Sequence, residues 1–340
     1  MKESSSVTEL DLALVHALQI RPRAAWTDLA PSLGVTAVTL ARRWERLTGE
    51  GLAWLSAVPG PAFSRTRCSA FVLVRCPPAA REPLAARIAE LDEAATVELT
   101  APGGADLLLD VLAPDVAGVH RFVDERLARL PGVSAVDCLF ATSLYTEGSR
   151  WRLGSLDSAQ LSALGRPDGT DPDGEAPAAA LGAVDRELLD ALARDGRLGL
   201  AALAERLGTS AATVRRRLGR LTRSGTVAFR CDTSRDLTGL PVSVTFRGRA
   251  PVREVNGLHR TLATLPGCRL VAAVTGSANV LATYWLPGIG GVQHHETVMS
   301  ARLPSLEITD RLIGARTVKR MGHLLDADGR RTATRPIRSW

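Results

Sequence analysis

An internal repeat constrains this chain more than any other feature of its sequence. Residues 10–54 align with residues 184–228 at a shift of 174 positions, and no gap is needed. The identical pairs include Asp11/Asp185, Leu14/Leu188, Leu18/Leu192, Leu29/Leu203, Leu33/Leu207, Gly34/Gly208, Thr39/Thr213, Arg42/Arg216, Arg43/Arg217, Leu47/Leu221 and Gly51/Gly225. Unrelated helices rich in Leu and Ala would share apolar positions only, whereas these segments also share glycines and arginines. The repeat therefore indicates a duplication.

The repeat continues beyond these helices, with the shift reduced to 173. Residues 102–106 align with 275–279, and residues 130–133 align with 303–306. Between the halves, residues 165–177 are rich in Pro, Gly and Asp, which is typical of a flexible linker. We therefore predict helical units at 7–60 and 183–235, second units at 66–146 and 239–320, an acidic Pro/Gly-rich linker at 147–182 and a basic tail at 321–340.

The helical unit of each half has the pattern of a helix-turn-helix. In the second copy, apolar periodicity predicts helices over 185–194, 200–207 and 211–224. Gly208 suits the tight turn between the last two helices, and Ser210 suits the N-cap of the third helix. Two helices joined by a short Gly-containing turn are typical of a DNA-binding helix-turn-helix, followed here by a strand that forms a wing or a connector.

The outward face of each third helix carries arginines and hydroxyls. Guanidinium groups suit guanine edges and phosphates, and short hydroxyls at a helix start suit phosphate or base contacts. Residues 183–232 contain ten Arg against six acids, whereas residues 1–60 contain six bases and six acids. We therefore expect the second copy to dominate DNA affinity. The candidate DNA-binding residues are Thr36, Thr39, Arg42, Arg43, Arg46, Ser210, Thr213, Arg215, Arg216, Arg217 and Arg220.

The second unit of each half has the order strand, helix, strand, strand, helix, strand. This βαββαβ order is that of a ferredoxin-like domain. Such a sheet leaves one apolar face uncovered, and the other copy is the obvious partner for it. The predicted fold class is therefore α+β, with two winged helix-turn-helix domains and two ferredoxin-like βαββαβ domains in tandem.

Glycine-rich loops join the second and third strands of both βαββαβ units. Exposed backbone N–H groups beside one carboxylate or amide could hold the charged groups of an amino acid, although most Gly-rich loops are plain turns. The candidate effector-binding residues are Gly103, Gly104, Asp106, Thr275, Gly276, Ser277 and Asn279.

The chain resembles the Lrp/AsnC (feast/famine) family of transcription regulators. The resemblance is carried by Leu203-Ala204-x-x-Leu207-Gly208-x-Ser210-x-x-Thr213-Val214-x-x-Arg217 and by Thr275-Gly276-Ser277-Ala278-Asn279. It implies a helix-turn-helix joined to an effector-binding and dimerising βαββαβ domain, here in a tandem form that makes a dimer covalent. It also implies double-stranded DNA and an amino-acid-like small effector as partners, and further homo-oligomerisation. The first loop has Pro102 where the family's loop has Thr, and the second has Asn279 where it has Asp.

The remaining sequence features exclude other classes. The five cysteines occur singly, without a Cys-x-x-Cys, so neither a zinc site nor a disulfide framework is indicated. No apolar run approaches the roughly 20 residues of a membrane span, so we expect a cytoplasmic protein with no cofactor and no membrane partner. Two alternatives remain open. One is an enzyme similar to the siroheme decarboxylases, which resemble the same family, and the other is a nucleoid-architectural DNA-binding protein.

Overall fold

The computed structural model describes residues 7–101, 103–165, 177–337 and 340. The helices are α1 (Glu9–Ile20), α2 (Trp26–Leu33), α3 (Ala37–Gly49), α4 (Pro61–Ser64), α5 (Arg81–Ala89), α6 (Val116–Arg121), α7 (Ser158–Leu164), α8 (Ala183–Arg194), α9 (Leu200–Arg206), α10 (Ala211–Arg223), α11 (Arg235–Thr238), α12 (Val252–Thr264) and α13 (Gly290–Arg302). The strands are β1 (Ala53–Pro59), β2 (Cys68–Arg75), β3 (Ala94–Thr100), β4 (Leu107–Ala113), β5 (Ala135–Thr146), β6 (Val227–Thr233), β7 (Val242–Arg249), β8 (Cys268–Val274), β9 (Val280–Leu286), β10 (Glu307–Arg320), β11 (His323–Leu325) and β12 (Arg331–Thr334).

The chain forms two compact units, and each draws on both halves of the repeat. Of the described residues, the first contains 7–65, 152–165, 177–238 and 340, and the second contains 66–101, 103–151 and 239–337. The duplication has therefore paired like domains with like.

The first unit holds two helix-turn-helix domains, α1–α3 and α8–α10. In each domain the turn glycine adopts a left-handed conformation, with φ of 65° at Gly34 and 59° at Gly208, which L side chains rarely adopt. Leu40, Trp44 and Leu47 of α3 face the core of the first domain. Val214, Leu218 and Leu221 occupy the same turns of α10 in the second domain. The helix-turn-helix prediction is confirmed.

The strand that follows each helix-turn-helix pairs with its counterpart from the other copy. β1 and β6 form a two-stranded antiparallel ribbon in which Ser56 lies opposite Arg230. These two residues are 174 positions apart, so the pseudo-twofold axis of the unit passes between a residue and its own repeat equivalent. Arg230 forms a buried ion pair with Asp232 on the same strand, with 2.6 Å between Nε and Oδ2. The sequence left two roles open for these strands, a wing or a connector. In the structure they connect the two helix-turn-helix domains.

Part of the predicted linker is a structural part of the first helix-turn-helix domain. Leu156 and Leu164 are buried in its core, and α7 begins with a capping box at Asp157. The backbone N–H of Leu156 donates to Nδ1 of buried His16 at 3.0 Å. The composition of the segment did not indicate this, because a short amphipathic stretch adjoins the Pro/Gly-rich one. The most linker-like residues, 166–176, lie outside the described residues.

The second unit contains the two βαββαβ domains, with strands β2–β5 in the first and β7–β10 in the second. Both sheets have the same strand order, in which the second, third, first and fourth strands of the domain are neighbours. The second helix of the first domain continues from α6 into a π-helical turn, Phe122–Leu127. The ferredoxin-like prediction is confirmed for both copies.

The two sheets close on each other into an eight-stranded ring. β5 pairs with β8, and β10 pairs with both β3 and β7. The faces not covered by helices share one apolar cluster, which unites Phe71, Leu73, Ala105, Leu108 and Leu139 with Ala272, Val274, Leu281 and Leu312. Each copy therefore covers the bare sheet face of the other, because an exposed apolar face of that size is unfavourable in water.

The segment predicted as a basic tail, 321–340, contains ordered strands. β11 pairs with the end of β10 and β12 pairs with β11, so a short hairpin extends the sheet. Lys319, at the start of this extension, is fully buried and donates to the backbone carbonyl of Leu91 at 2.8 Å. None of the described helices is long and apolar enough to cross a membrane.

Candidate nucleic-acid interface and effector loops

Both third helices begin with a hydroxyl cap, as the sequence predicted for Ser210. Thr36 precedes α3 and accepts a hydrogen bond from the backbone N–H of Thr39 at 3.1 Å. Ser210 precedes α10 and accepts from the N–H of Thr213 at 3.2 Å. The two hydroxyls of each pair are also within 3.0 Å of each other. The caps place two polar oxygens at the start of each helix, where a phosphate or base edge could be contacted.

A buried carboxylate lies behind each third helix and binds two of its arginines. Asp11, fully buried in α1, lies 3.0 Å from Arg43 Nη1 and 2.7 Å from Arg46 Nη2. Asp185 in α8 repeats this with Arg217 and Arg220 at the same two distances. We call each set a carboxylate fork. Sequence reasoning found the repeated Asp, but not that it would bind these arginines.

The forks keep both carboxylates ionised. Burial raises the pKa of Asp11, but hydrogen bonds from Thr8 and from the two arginines outweigh it and leave the pKa below the ordinary value of 3.8. Burial likewise raises the pKa of Asp185. The backbone N–H of Gly182 and the charges of Arg217 and Arg220 reverse that effect, so this pKa is also lowered. Each fork thus combines two cations with one anion.

The forks change the roles expected for four of the predicted DNA-binding residues. Arg43, Arg46, Arg217 and Arg220 hold the third helix against the first helix of their domain. Their side chains are still between 26% and 42% exposed, and each fork has a net charge of +1. A fork can therefore attract phosphate, but with one positive charge rather than two.

The solvent-exposed faces of α3 and α10 differ strongly in charge. Arg42 and Arg216 are repeat equivalents, and both are exposed. The remaining equivalent pairs, with the α3 residue first, are Ala41/Arg215, Glu45/Gly219 and Gly49/Arg223. Outside the fork, α10 thus presents three arginines, whereas α3 presents one arginine and a glutamate. The apolar Val38, 62% exposed, adds to the lower polarity of α3.

Within the described part of the chain, Arg42, Arg215 and Arg216 take part in no ion pair, so their guanidinium groups face solvent. The second domain therefore has the more positively charged exposed helix face. Its arginines project from one helix face, as contact with the major groove requires.

In the first effector loop, the predicted acidic residue is already bound within the chain. The carboxylate of Asp106 accepts from the backbone N–H of Cys76 at 2.9 Å and lies 3.6 Å from Arg81 Nε. Arg75 donates to the carbonyl of Gly104 at 3.0 Å. Gly103 and Gly104 are exposed, and the loop has charged groups of both signs. Pro102 lies outside the described residues.

In the second effector loop, the predicted side chains of Thr275 and Asn279 are neutral and internally paired. Asn279 accepts from the N–H of Ala250 at 3.0 Å and donates to its carbonyl at 2.8 Å. Thr275 accepts from the N–H of Phe140 at 2.9 Å. Gly276 has φ of 106°, and a Cβ there would lie 2.8 Å from a methyl group of Leu139. Ser277 is exposed. The two loops are therefore chemically unequal.

Two further arginines were missed by sequence reasoning. Arg23 and Arg197, 174 positions apart, each bind backbone carbonyls of the other helix-turn-helix domain. Their equal spacing in the repeat was the available signal. Among the described residues, no group of three or more His, Cys, Asp or Glu side chains could hold a metal ion. The fold and site together define a protein with two helix-turn-helix domains and a pair of βαββαβ domains.

Comparisons with known proteins agree with this architecture. The model of the AsnC-type helix-turn-helix domain matches residues 7–48 and 173–222. The model of the Lrp/AsnC ligand binding domain matches residues 69–151. Two curated relatives are uncharacterized HTH-type transcriptional regulators of Pyrococcus horikoshii and Pyrococcus abyssi. Each is 24% identical over 144 residues, which cover 42% of this chain and 88% of the relative. A relative of that length corresponds to one half of the duplicated chain.

A solved structure shows the tandem arrangement in another protein. The crystal structure of the siroheme decarboxylase NirDL matches with a TM-score of 0.60 and 14% identity, and the match covers 92% of this chain and 93% of that one. The similarity shows a shared fold. The chain belongs to the Lrp/AsnC family, in a tandem-duplicated form, and is a DNA-binding transcriptional regulator of that type.

Proposed function

We propose that the chain binds an asymmetric operator, in which the half-site contacted by α10 provides most of the affinity. The observation that carries this proposal is the contrast between the two helix faces outside the carboxylate forks, where α10 has Arg215, Arg216 and Arg223 but α3 has only Arg42. Phosphate neutralisation sets the non-specific part of DNA affinity, and bidentate contacts from arginine distinguish guanine from the other bases. A homodimer must bind two identical half-sites, whereas the halves of a duplicated chain can diverge.

Selection of binding sites from random double-stranded DNA tests this proposal. We expect a site with one well-defined half and one weakly defined half. A perfectly palindromic optimal site would contradict it. Competition with random DNA, in the same assay, separates a regulator from an architectural protein. A specific regulator should prefer its site by roughly 10³-fold or more, whereas an architectural protein would show little preference.

We also propose that a small effector with both a cationic and an anionic group binds the first effector loop rather than the second. Asp106, Arg75 and Arg81 supply charges of both signs there, beside the exposed Gly103 and Gly104. In the second loop Asn279 replaces the carboxylate, and Arg249 at the position of Arg75 leaves only positive charge there. Calorimetric titration with a panel of amino acids would test this proposal. Asp106→Asn should abolish the heat of binding, and Asn279→Ala should not. The reverse pattern would place the effector in the second loop.

We propose that the chain has no enzymatic activity, despite its structural similarity to NirDL. The histidines of the second unit are spread over several elements, apart from the neighbours His294 and His295 in α13, and two are held in structural contacts. His295 binds the carbonyls of Gly291 and Pro266, and His259 stacks on Tyr145 with 4.3 Å between the ring centroids. The iron-uroporphyrin III analogue bound to NirDL suggests the test. Purified protein mixed with an iron porphyrin should show no shift in the Soret band, and a saturable shift would favour the enzyme.

We expect these chains to associate into homo-oligomers and to work in the cytoplasm, where the DNA is. Light scattering of the purified protein would report its mass, and a mass equal to one chain of 36.1 kDa would contradict the oligomer. Cell fractionation would test the location.

A further inference from the structure

Arg23, in the loop between α1 and α2, reaches across to the second helix-turn-helix domain. Its guanidinium donates to the backbone carbonyl of Gly196 and, at 2.9 Å, to that of Leu198. The guanidinium carbon also lies 5.6 Å from the centroid of the Phe229 ring. Both acceptors belong to the loop between α8 and α9, so a single side chain links the two domains.

Arg197, in the loop between α8 and α9, makes the reciprocal contact. It donates to the carbonyls of Pro22 and Ala24 at 2.8 and 2.9 Å. Its guanidinium carbon lies 3.8 Å above the ring of Trp26, the first residue of α2. A shift of 174 positions converts each donor and each acceptor of one contact into those of the other. We call Arg23 and Arg197 the reciprocal arginine pair.

The two aromatic contacts come from different positions of the repeat. The residue equivalent to Trp26 is Leu200, and the residue equivalent to Phe229 is Leu55. Each copy thus has one aromatic side chain, at a different place, against the arginine of the other copy. Neither position is aromatic in both copies. The two ring contacts are therefore not simply a remnant of the duplicated sequence.

The reciprocal arginine pair and the β-ribbon connect the two helix-turn-helix domains at different places. β1 and β6 pair across the pseudo-twofold axis, and an isolated two-stranded ribbon twists easily. The two arginines bind loops outside the ribbon, so they add side-chain contacts between the domains to those that the strand pairing supplies. At Gly196 the loop between α8 and α9 also lies close to β1, because the N–H of Gly196 donates to the carbonyl of Leu55 at 2.7 Å. A Cβ at Gly196 would lie 2.2 Å from Cδ2 of Leu55.

We propose that Arg23 and Arg197 are positioning residues that hold the two helix-turn-helix domains as one rigid body, and so restrict binding to operators with a single half-site spacing. The consequence for the operator rests on the proposed DNA-binding function. Burial lowers the pKa of Arg197 to about 10, so it remains cationic at neutral pH. Arg197 has the shorter aromatic contact, and its loss should have the larger effect.

Distance measurements between spin labels test the rigid body without DNA. Labels at Val38→Cys and Ala212→Cys occupy equivalent exposed positions on α3 and α10. The two half-exposed cysteines, Cys68 and Cys138, are replaced by serine in every variant. The otherwise unchanged chain should give one narrow distance peak. Lysine at both arginine positions keeps the charge and the apolar stem but cannot bind two carbonyls as a fork, and should broaden the peak.

A control separates the geometry of the pair from its charge. Arg194→Ala removes one exposed arginine near the same loop and should leave the peak narrow. Circular dichroism of each variant would verify that the helices are intact. A narrow peak in the double lysine variant would overturn the proposal, whatever the DNA results are.

Operators with altered spacing test the consequence for DNA. With the selected operator, the unchanged chain should lose about tenfold in affinity when one base pair is inserted between the half-sites, which is the order of one lost bidentate base contact. The double lysine variant should bind both spacings within a small factor. Equal selectivity of variant and unchanged chain would overturn the proposal. If the unchanged chain gives a narrow distance peak that broadens in the double lysine variant, but shows no preference for any operator, the rigid body is supported and the proposed DNA-binding function is contradicted.

Discussion

Replacing Arg216 by alanine should weaken operator binding more than replacing Arg42 by alanine. The two residues are repeat equivalents on α10 and α3, both are exposed, and neither takes part in an ion pair among the described residues. Both variants therefore remove the same side chain from equivalent positions, and only the neighbouring residues differ.

The surroundings set the magnitude of the difference. A bidentate contact between arginine and guanine is worth about 1–3 kcal/mol, or roughly tenfold in affinity for each 1.4 kcal/mol. Arg216 lies beside Arg215, which also attracts phosphate. Arg42 lies three residues from Glu45, whose carboxylate repels phosphate by roughly 0.6 kcal/mol at about 7 Å in water. We therefore expect a loss of about tenfold or more for Arg216→Ala, and about threefold for Arg42→Ala.

Fluorescence anisotropy with labelled operator, measured over a series of salt concentrations, provides both numbers. If Arg216 contacts a phosphate, its loss should reduce the slope of log K against log salt by about 0.9. If it contacts a base, the slope should hold while discrimination at one base pair falls. Arg194→Ala serves as the charge-matched control. An equal or larger loss for Arg42→Ala would refute the argument from exposed charge.

Three further predictions concern the first unit. Because the pKa of Asp185 is lowered on folding from 3.8, its stabilising contribution is present above about pH 4 and is lost as pH falls through the folded pKa. Asp185→Asn should therefore flatten the acid limb of a urea-unfolding series. Burial lowers the pKa of His16 from 6.5 to about 4, so stability should fall between pH 6.5 and 4, and His16→Gln should reduce that fall at equal ionic strength. Gly196→Ala should destabilise the chain by about 1–3 kcal/mol through its clash with Leu55, whereas Gly199→Ala, which meets open space, should cost much less in the same thermal scan.

The elements and their order followed from the sequence because local patterns specify them. The period of Val214, Leu218 and Leu221 defined α10, and Ser210 marked its start. The repeat then supplied the same elements for the first domain. The pairing of the βαββαβ sheets also followed, since an uncovered apolar face needs a partner.

The contacts between distant parts of the chain did not follow. Arginines on a helix face are equally compatible with DNA and with a carboxylate on another helix, so the carboxylate forks could not be distinguished from free arginines. The same ambiguity hid the linkage made by Arg23 and Arg197. The packing of α7 depends on Leu156 and Leu164 meeting a core assembled more than a hundred residues earlier, and local composition has no information about it.

The position of Ser56 opposite Arg230 has a consequence for the history of the gene. A dimer of two second halves would place Arg230 against Arg230 in a buried strand pair, where like charges are costly. A dimer of two first halves would lack the ion pair with Asp232 and would set Trp54 opposite Val58. Expressed as separate polypeptides, the halves should prefer each other to themselves. The fusion is therefore hard to reverse. Once the two residues at the axis differed, neither half could again form a stable homodimer.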